Sequence, residues 1–147
     1  MAIYNLNRVL NQYGNDYLVL DFNHLFISTS IREEIWLLQR KNDSALLKKI
    51  MQEAQELNIY EVGADRDFET YSGGQKAILG CLLTLAVIRD RQIRGLKLLL
   101  NNILDSVSEE NRSGLSAKFK QLHTTHDMRL FTAEEGRIRE ILLDDEN

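Results

Sequence analysis

The chain has 147 residues, of which 44% are hydrophobic and 27% are charged, and its formal net charge at pH 7 is -4. This length and composition predict a single domain over residues 1–147, and the mildly acidic charge argues against a protein that wraps nucleic acid non-specifically. The one cysteine, Cys81, excludes a disulfide framework and favours a reducing compartment. The chain shows neither a signal-peptide pattern nor an apolar run of membrane-spanning length, so we expect a soluble, cytoplasmic protein without membrane insertion.

The first part of the chain predicts one strand followed by two helices. Tyr17–Phe22, with the sequence YLVLDF, is a short apolar run typical of a buried strand. Apolar residues at helical spacing predict one helix over Ile31–Arg40, capped by Ser30. The same pattern predicts a second helix over Ser44–Leu57, with Ser44 at its start. Asn58–Val62 fits either a short strand or an extended loop.

The middle of the chain contains its most apolar segment. Lys76–Asp90 is apolar on nearly every side, which predicts a helix that is buried at the centre of the protein and begins near residue 72. Leu96–Leu100 predicts a buried strand. A surface helix is expected from Ser108 onwards, with a capping box in Ser106–Glu109.

The last part of the chain predicts a turn and a hairpin. The sequence HTTHD, residues 123–127, indicates a turn or the end of a strand. The sequence RLFTAEEGRIREILL predicts two short strands that turn at Glu134-Glu135-Gly136. Because helices and buried strands interleave, the fold class is α/β or α+β, with helices around a small sheet.

Ser72-Gly73-Gly74-Gln75 stands directly before the buried helix. Serine at the N-cap with glutamine three residues later satisfies the capping-box pattern, so a simple helix start explains part of the motif. A glycine pair costs about 1 kcal/mol per residue relative to alanine inside a helix, but it leaves backbone N–H groups accessible. A helix N-terminus suits a phosphate, and Lys76 adds a cation. We therefore predict a phosphate-binding turn formed by Ser72, Gly73, Gly74, Gln75 and Lys76.

Several motifs over residues 17–140 resemble those of the ATP-binding cassette (ABC) ATPases. YSGGQKAILGCLLTLAVI is similar to the family's signature motif and the helix after it. LKLLLNNILDSVSEENR lies where the family has its Walker B strand and D-loop, and SVSEENR is similar to the Rad50/SMC branch. LHTTHD resembles the H-loop, which would make His126 the switch histidine, and YLVLDFNHLFISTSIREEI resembles the Q-loop region of transporter-type ATPases. The resemblance implies a truncated, degenerate ABC-ATPase-like domain that corresponds to the part after Walker A.

The departures from the family's pattern bear on activity. No G-x-x-x-x-G-K-[ST] sequence occurs in these 147 residues. Asn101 and Asn102 occupy the Walker B aspartate and glutamate positions, Asp21 occupies the Q-loop glutamine position, and Ser108 that of the D-loop aspartate. Neutral amides are poor magnesium ligands and cannot activate water as general bases. We therefore expect no autonomous ATPase activity and no catalytic residue, with Asn101, Asn102 and His126 as vestigial positions, and no spacing predicts a metal site.

In the ABC family, the signature motif of one subunit completes the nucleotide site on the P-loop of another. The resemblance therefore implies that ATP is not bound by this chain alone but is shared with a complete ABC-type ATPase subunit, or across a homodimer. One alternative is a non-catalytic ABC-like remnant that serves protein–protein interaction. In that case the motif only starts a helix, and replacing Gly73 and Gly74 with alanine should be harmless or slightly stabilising. The other is the C-terminal lobe of a Rad50/SMC-like, DNA-associated ATPase head, for which nucleic acid would be a partner.

Overall fold

The computed structural model describes residues 17–143, which form one mixed sheet with connecting helices. In chain order the elements are β1 (Leu18–Asp21), α1 (Ile31–Gln39), α2 (Ser44–Glu56), α3 (Gly73–Asp90), β2 (Lys97–Asn101), α4 (Glu109–His126), β3 (Arg129–Glu134) and β4 (Arg137–Ile141). The strand order is β1-β2-β3-β4, in which β1, β2 and β3 are parallel and β4 is antiparallel to β3. The fold class is α/β, as predicted.

The central residues of the parallel strands are buried on both faces of the sheet, which explains the continuous apolar runs of β1 and β2. One face packs into the main core with the helices and carries Leu18, Leu20, Leu98, Leu100 and Leu130. The opposite face buries Val19, Leu99 and Phe131 together with the half-buried Tyr17 and Ala133. The predicted strands are thus confirmed, with each boundary shifted by about one residue.

Helix α3 runs through the centre of the protein, as predicted. Every residue from Ala77 to Ile88 is buried, and the helix packs against α2 and α4. Gly80 allows the side chain of Leu25 to approach this helix closely, since a Cβ there would lie 2.8 Å from Cδ2 of Leu25. Within residues 17–143, no helix combines the length and the apolar character needed to cross a membrane.

The helix starts in the first half are set by side-chain caps. Ser30 caps α1 and accepts a hydrogen bond from the Glu33 N–H at 3.2 Å, as predicted. Helix α2 begins at Ser44, but its cap is Asp43, which accepts from the Leu46 N–H at 3.1 Å. The predicted start of this helix at Ser44 is therefore confirmed, and the carboxylate immediately before it supplies the cap.

Asn58–Val62 is not a strand but an irregular segment with turns, the second of the two predicted alternatives. Asn58 has a left-handed backbone, with φ of 69°. Its side-chain amide donates to Asn111 Oδ1 at 2.6 Å and to Glu110 Oε2 at 3.2 Å. These bonds tie the end of α2 to the beginning of α4.

Helix α4 has Ser108 as its N-cap and Glu109 as its first residue, so the predicted start is confirmed. The capping box predicted for Ser106–Glu109 is wrong, because Ser106 belongs to the 3₁₀ turn before the helix and the Ser108 side chain makes no capping hydrogen bond. The helix continues through His126 and ends where Asp127 adopts a left-handed φ of 57°. HTTHD is therefore the last helical turn and its cap, rather than a turn or strand end. Burial of Leu122 and His126, four residues apart, places this last turn on the core side.

The predicted hairpin is confirmed in β3 and β4. Its turn uses two left-handed residues, Glu135 with φ of 49° and Gly136 with φ of 78°. Two ion pairs join the strands: Arg129 contacts Glu140 through two hydrogen bonds of 2.7 and 2.9 Å, and Arg139 contacts Glu134 at 3.0 Å.

Candidate functional site

The carboxyl ends of β1 and β2 lie side by side, because Asp21 and Asn101 are paired in the parallel register. The Asn101 side-chain amide donates to Asp21 Oδ1 at 2.8 Å, and the Asn23 N–H donates to Asp21 Oδ2 at 3.2 Å. Asp21 is buried, whereas Asn102 is exposed with a left-handed φ of 60°. Ligands of parallel α/β sheets bind outside this carboxyl edge, so it is the place to look for a site.

The first turn of α3 is a complete capping box. Ser72 Oγ accepts from the Gln75 N–H at 3.2 Å, and Gln75 Oε1 accepts from the Ser72 N–H at 3.0 Å. The first intrahelical hydrogen bond is donated by the Lys76 N–H to the Ser72 carbonyl at 2.9 Å. The N–H groups of Gly73 and Gly74 precede that bond and have no carbonyl within the helix to receive them. Ser72 and Gly73 are exposed, so this positively polarised turn is open to a ligand.

The two glycines have different surroundings. A Cβ on Gly74 would lie 2.6 Å from the backbone oxygen of Ser106, in the loop after β2. A Cβ on Gly73 would lie 3.4 Å from Cζ of Phe22, in the segment after β1, which is ordinary van der Waals contact. The turn therefore rests on both loops that leave the carboxyl edge. The expectation that alanine is harmless at both positions is wrong for Gly74, whose missing side chain makes room for a backbone carbonyl.

Lys76 belongs to the same helix end but faces a cavity. Its ammonium lies 3.4 Å from Glu69 Oε1, and its side chain is 24% exposed. Together with the loop 22–29 and the turn 67–69 it lines a cavity of about 530 Å³. The structure thus brings Ser72, Gly73, Gly74 and Gln75 together in one turn, and it places the Lys76 charge beside that turn.

His126 lies at the other edge of the sheet. β3 begins three residues after His126 and runs parallel to β2, so His126 is at the amino edge while Asn101 ends β2 at the carboxyl edge. The four residue steps of β2 alone separate these edges by about 13 Å. The Gly95 N–H donates to the His126 carbonyl at 2.9 Å, and His126 Nδ1 lies 2.6 Å from Thr125 Oγ1. The structure therefore does not bring His126 to Asn101 and Asn102.

Sequence reasoning missed Glu34, which organises the loop after β1. This glutamate is buried, and its carboxylate accepts hydrogen bonds from the Ile27 N–H at 3.1 Å, the Ser28 N–H at 3.0 Å and Ser28 Oγ at 2.7 Å. One signal was present in the sequence: Glu34 occupies the same helical face as Ile31 and Leu38, where an apolar residue was expected. A charge on a buried face indicates a specific set of donors.

The arrangement favours anion binding over metal chemistry at this edge. Both oxygens of Asp21 already accept hydrogen bonds, from Asn101 and Asn23, so the residues present do not offer a magnesium shell. Within the described part of the chain, no group of three or more His, Cys, Asp or Glu side chains is placed to hold a metal ion.

No protein-family model matches the chain, and neither does any curated protein.

Proposed function

We propose that the chain is a degenerate ABC-type ATPase subunit or regulator, without Walker A in these residues, that acts in the cytoplasm. It presents its signature-like turn in trans to the nucleotide of a complete ATPase partner, and ATP is shared between the two. The observation that carries this proposal is the exposed, capped first turn of α3, which lies at the carboxyl edge of the parallel strands. The motif resemblance supplies the identity of the anion, a nucleotide phosphate.

Three features of the turn support a phosphate as its ligand. The N–H groups of the first turn carry the positive end of the helix dipole. Gly73 is exposed and presents backbone rather than a side chain. The Lys76 ammonium adds a full positive charge on the same helix end.

The carboxyl edge also supports dependence on a partner. A nucleotide with its magnesium ion needs carboxylate ligands and a phosphate cradle. Asp21 is engaged by Asn101 and Asn23, and Asn101 itself is neutral. The chain's own contribution is therefore limited to anion binding and orientation.

The test uses two substitutions at one position. Asparagine and aspartate are both good N-caps, so Ser72→Asn and Ser72→Asp each preserve the helix start, while only aspartate adds a charge that repels phosphate. The purified chain is titrated into each complete ABC-type ATPase of its source cell with ATP–Mg, and phosphate release is measured. We expect wild type and Ser72→Asn to change the rate of one ATPase at similar concentrations, and Ser72→Asp to require roughly tenfold more protein, a difference of about 1.4 kcal/mol. The proposal fails if the two variants behave alike or if no ATPase responds.

A second candidate is a non-catalytic remnant that serves protein–protein interaction. The specific observation that favours it is the contact of Gly74 with the Ser106 carbonyl, which together with the capping box explains the motif by packing alone. Gly73→Ala separates the two candidates, because Gly73 has room for a methyl group. A remnant should keep its protein–protein interaction in this variant, whereas a phosphate-binding turn should lose affinity for the nucleotide phosphate.

A further inference from the structure

Two depressions beside α1 share part of their lining. The first is the cavity of about 530 Å³ lined by the loop 22–29, the turn 67–69 and Lys76. The second, of about 390 Å³, is lined by the same loop and by α1 residues that include Glu33 and Trp36. The two share Ser28 and Thr29. We refer to this combined surface as the loop groove.

Each depression of the loop groove is lined by a large apolar side chain that is exposed to solvent. Ile27 is 45% exposed and lines the first depression, and Trp36 is 46% exposed and lines the second. Trp36 is the only tryptophan of the chain. Tryptophan is enriched among the residues that contribute most to the binding energy of protein interfaces.

The loop that carries Ile27 is held in place before any partner arrives. The buried Glu34 carboxylate receives the backbone N–H groups of Ile27 and Ser28, and Glu33 accepts from Thr29 Oγ1 at 2.6 Å. Burying a carboxylate costs free energy unless its hydrogen bonds are satisfied, and here they are satisfied by the loop itself. A surface fixed in this way loses little conformational entropy on binding, which favours association.

The charge of the loop groove is negative. Asp67 and Glu69 line the first depression, and Glu33 lines the second. The side chain of Glu69 is 84% exposed. Against these three carboxylates, Lys76 is the single lysine or arginine among the described lining residues, and its ammonium already faces Glu69. A complementary partner is therefore basic.

We infer that the loop groove docks an amphipathic segment of a partner protein, with apolar side chains packed on Ile27 and Trp36 and lysine or arginine side chains opposite Glu33, Asp67 and Glu69. This inference goes beyond the proposed function, since docking in the groove requires neither nucleotide nor the turn Ser72–Gly74. The groove is a site for association that adjoins the turn Ser72–Gly74, and Lys76 lies at the boundary because it also lines the first depression.

The natural partner is defined only by its chemistry, so the test uses a model peptide. The peptide contains no tryptophan. A peptide of about 18 residues, long enough to form a helix, carries leucine at positions i, i+3, i+4 and i+7 and lysine elsewhere; its control has glutamate in place of lysine. Binding to the full chain is measured by calorimetry. We expect the lysine peptide to bind and the glutamate peptide to bind at least tenfold more weakly.

Variants of the protein then locate the binding surface. Trp36→Ala should weaken the lysine peptide at least tenfold, and Trp36→Phe should weaken it less, while Leu142→Ala, which removes an exposed apolar side chain outside the lining residues of the groove, should have no effect. Glu69→Lys should weaken binding about fivefold or more, whereas Glu135→Lys, with the same change of net charge at the hairpin turn, should not. Thermal unfolding of each variant confirms that it is folded.

Four results would overturn the inference. Equal binding of the two peptides would remove the argument from charge, and equal effects of Glu69→Lys and Glu135→Lys would reduce it to non-specific attraction. Unchanged binding of the lysine peptide by Trp36→Ala would exclude the loop groove as the binding surface. If sedimentation shows that the chain self-associates and that Trp36→Ala abolishes this, the occupant is a second copy and a basic partner is excluded.

Discussion

Asp21 and Asn101 show how a single contact joins two strands at the candidate site. A buried carboxylate on β1 meets an amide on β2 at 2.8 Å, and the amide donates, so the pair is satisfied without a second charge.

This pairing predicts a strong response to charge at Asn101. Asn101→Asp places two carboxylates in contact, and we expect the free energy of unfolding at pH 7 to fall by about 2–3 kcal/mol, since a donor is lost and a like charge is added. The double variant Asp21→Asn/Asn101→Asp restores one carboxylate and one amide, and it should recover most of that loss. Urea unfolding of the two variants and wild type measures this; equal stability of Asn101→Asp and wild type would contradict the pairing.

Cys81 illustrates a residue whose chemistry is suppressed by its position. Complete burial in α3 raises the pKa of its thiol to about 12. We expect no reaction with a thiol reagent at pH 8 in the native protein, and full reaction after denaturation. Because the thiol ionises more readily in the unfolded chain, the free energy of unfolding should decrease as the pH rises above about 8.5. Rapid stoichiometric labelling of the folded protein would contradict this prediction.

At the scale of the elements, the start of α3 is fixed by its contact with the loop after β2. Gly74→Ala pushes a methyl group against the Ser106 carbonyl, and we expect a loss of about 1–3 kcal/mol in stability despite the better helix propensity of alanine. Gly73→Ala meets only the edge of Phe22 and should be neutral or stabilising by up to about 1 kcal/mol. Thermal unfolding measures the difference, and similar values for the two variants would argue against the packing described here.

The hairpin of β3 and β4 predicts a pH dependence. Hydrogen bonds from the Arg129 guanidinium, together with its charge, lower the pKa of Glu140. The stabilisation is therefore present above the unfolded-state value of about 4.3 and is lost as the pH falls through the lower folded-state value. In an NMR titration, Arg129→Gln should move the Glu140 pKa back toward its ordinary value. Arg139→Gln, which breaks the pair with Glu134 instead, is the matched control and should leave Glu140 unchanged.

Across the whole molecule, the elements could be predicted from sequence where their cause is local. Apolar periodicity identified α1 and α2, and continuous apolar runs identified α3, β1 and β2. The last turn of α4 could not be predicted, because HTTH carries no apolar repeat and is held by the burial of His126 against other elements. The capping box of the candidate turn was also a local pattern, and the structure confirms it.

The rest of the candidate site depends on contacts between distant residues. The need for glycine at position 74 comes from the Ser106 carbonyl, and the role of Glu34 comes from donors in a loop that precedes its helix. The position of His126 at the amino edge follows from the parallel pairing of β3 with β2. The order of the motifs along the chain contains none of this information, so these features could be identified only from the three-dimensional fold.

The packing contacts of the turn Ser72–Gln75 also have a consequence for the order in which the protein folds. One side of the turn rests on Phe22 and the other on Ser106, and the strands that position those two residues pair Asp21 with Asn101 across a sequence separation of 80. Contacts of such long range form late in folding, because the entropy cost of closing the loop must be met before the contacts stabilise the chain. A nascent chain that has synthesised the motif but not β2 carries the sequence without its geometry. Recognition of the turn by a partner would therefore report that β2 and the loop after it have been synthesised and have folded against β1.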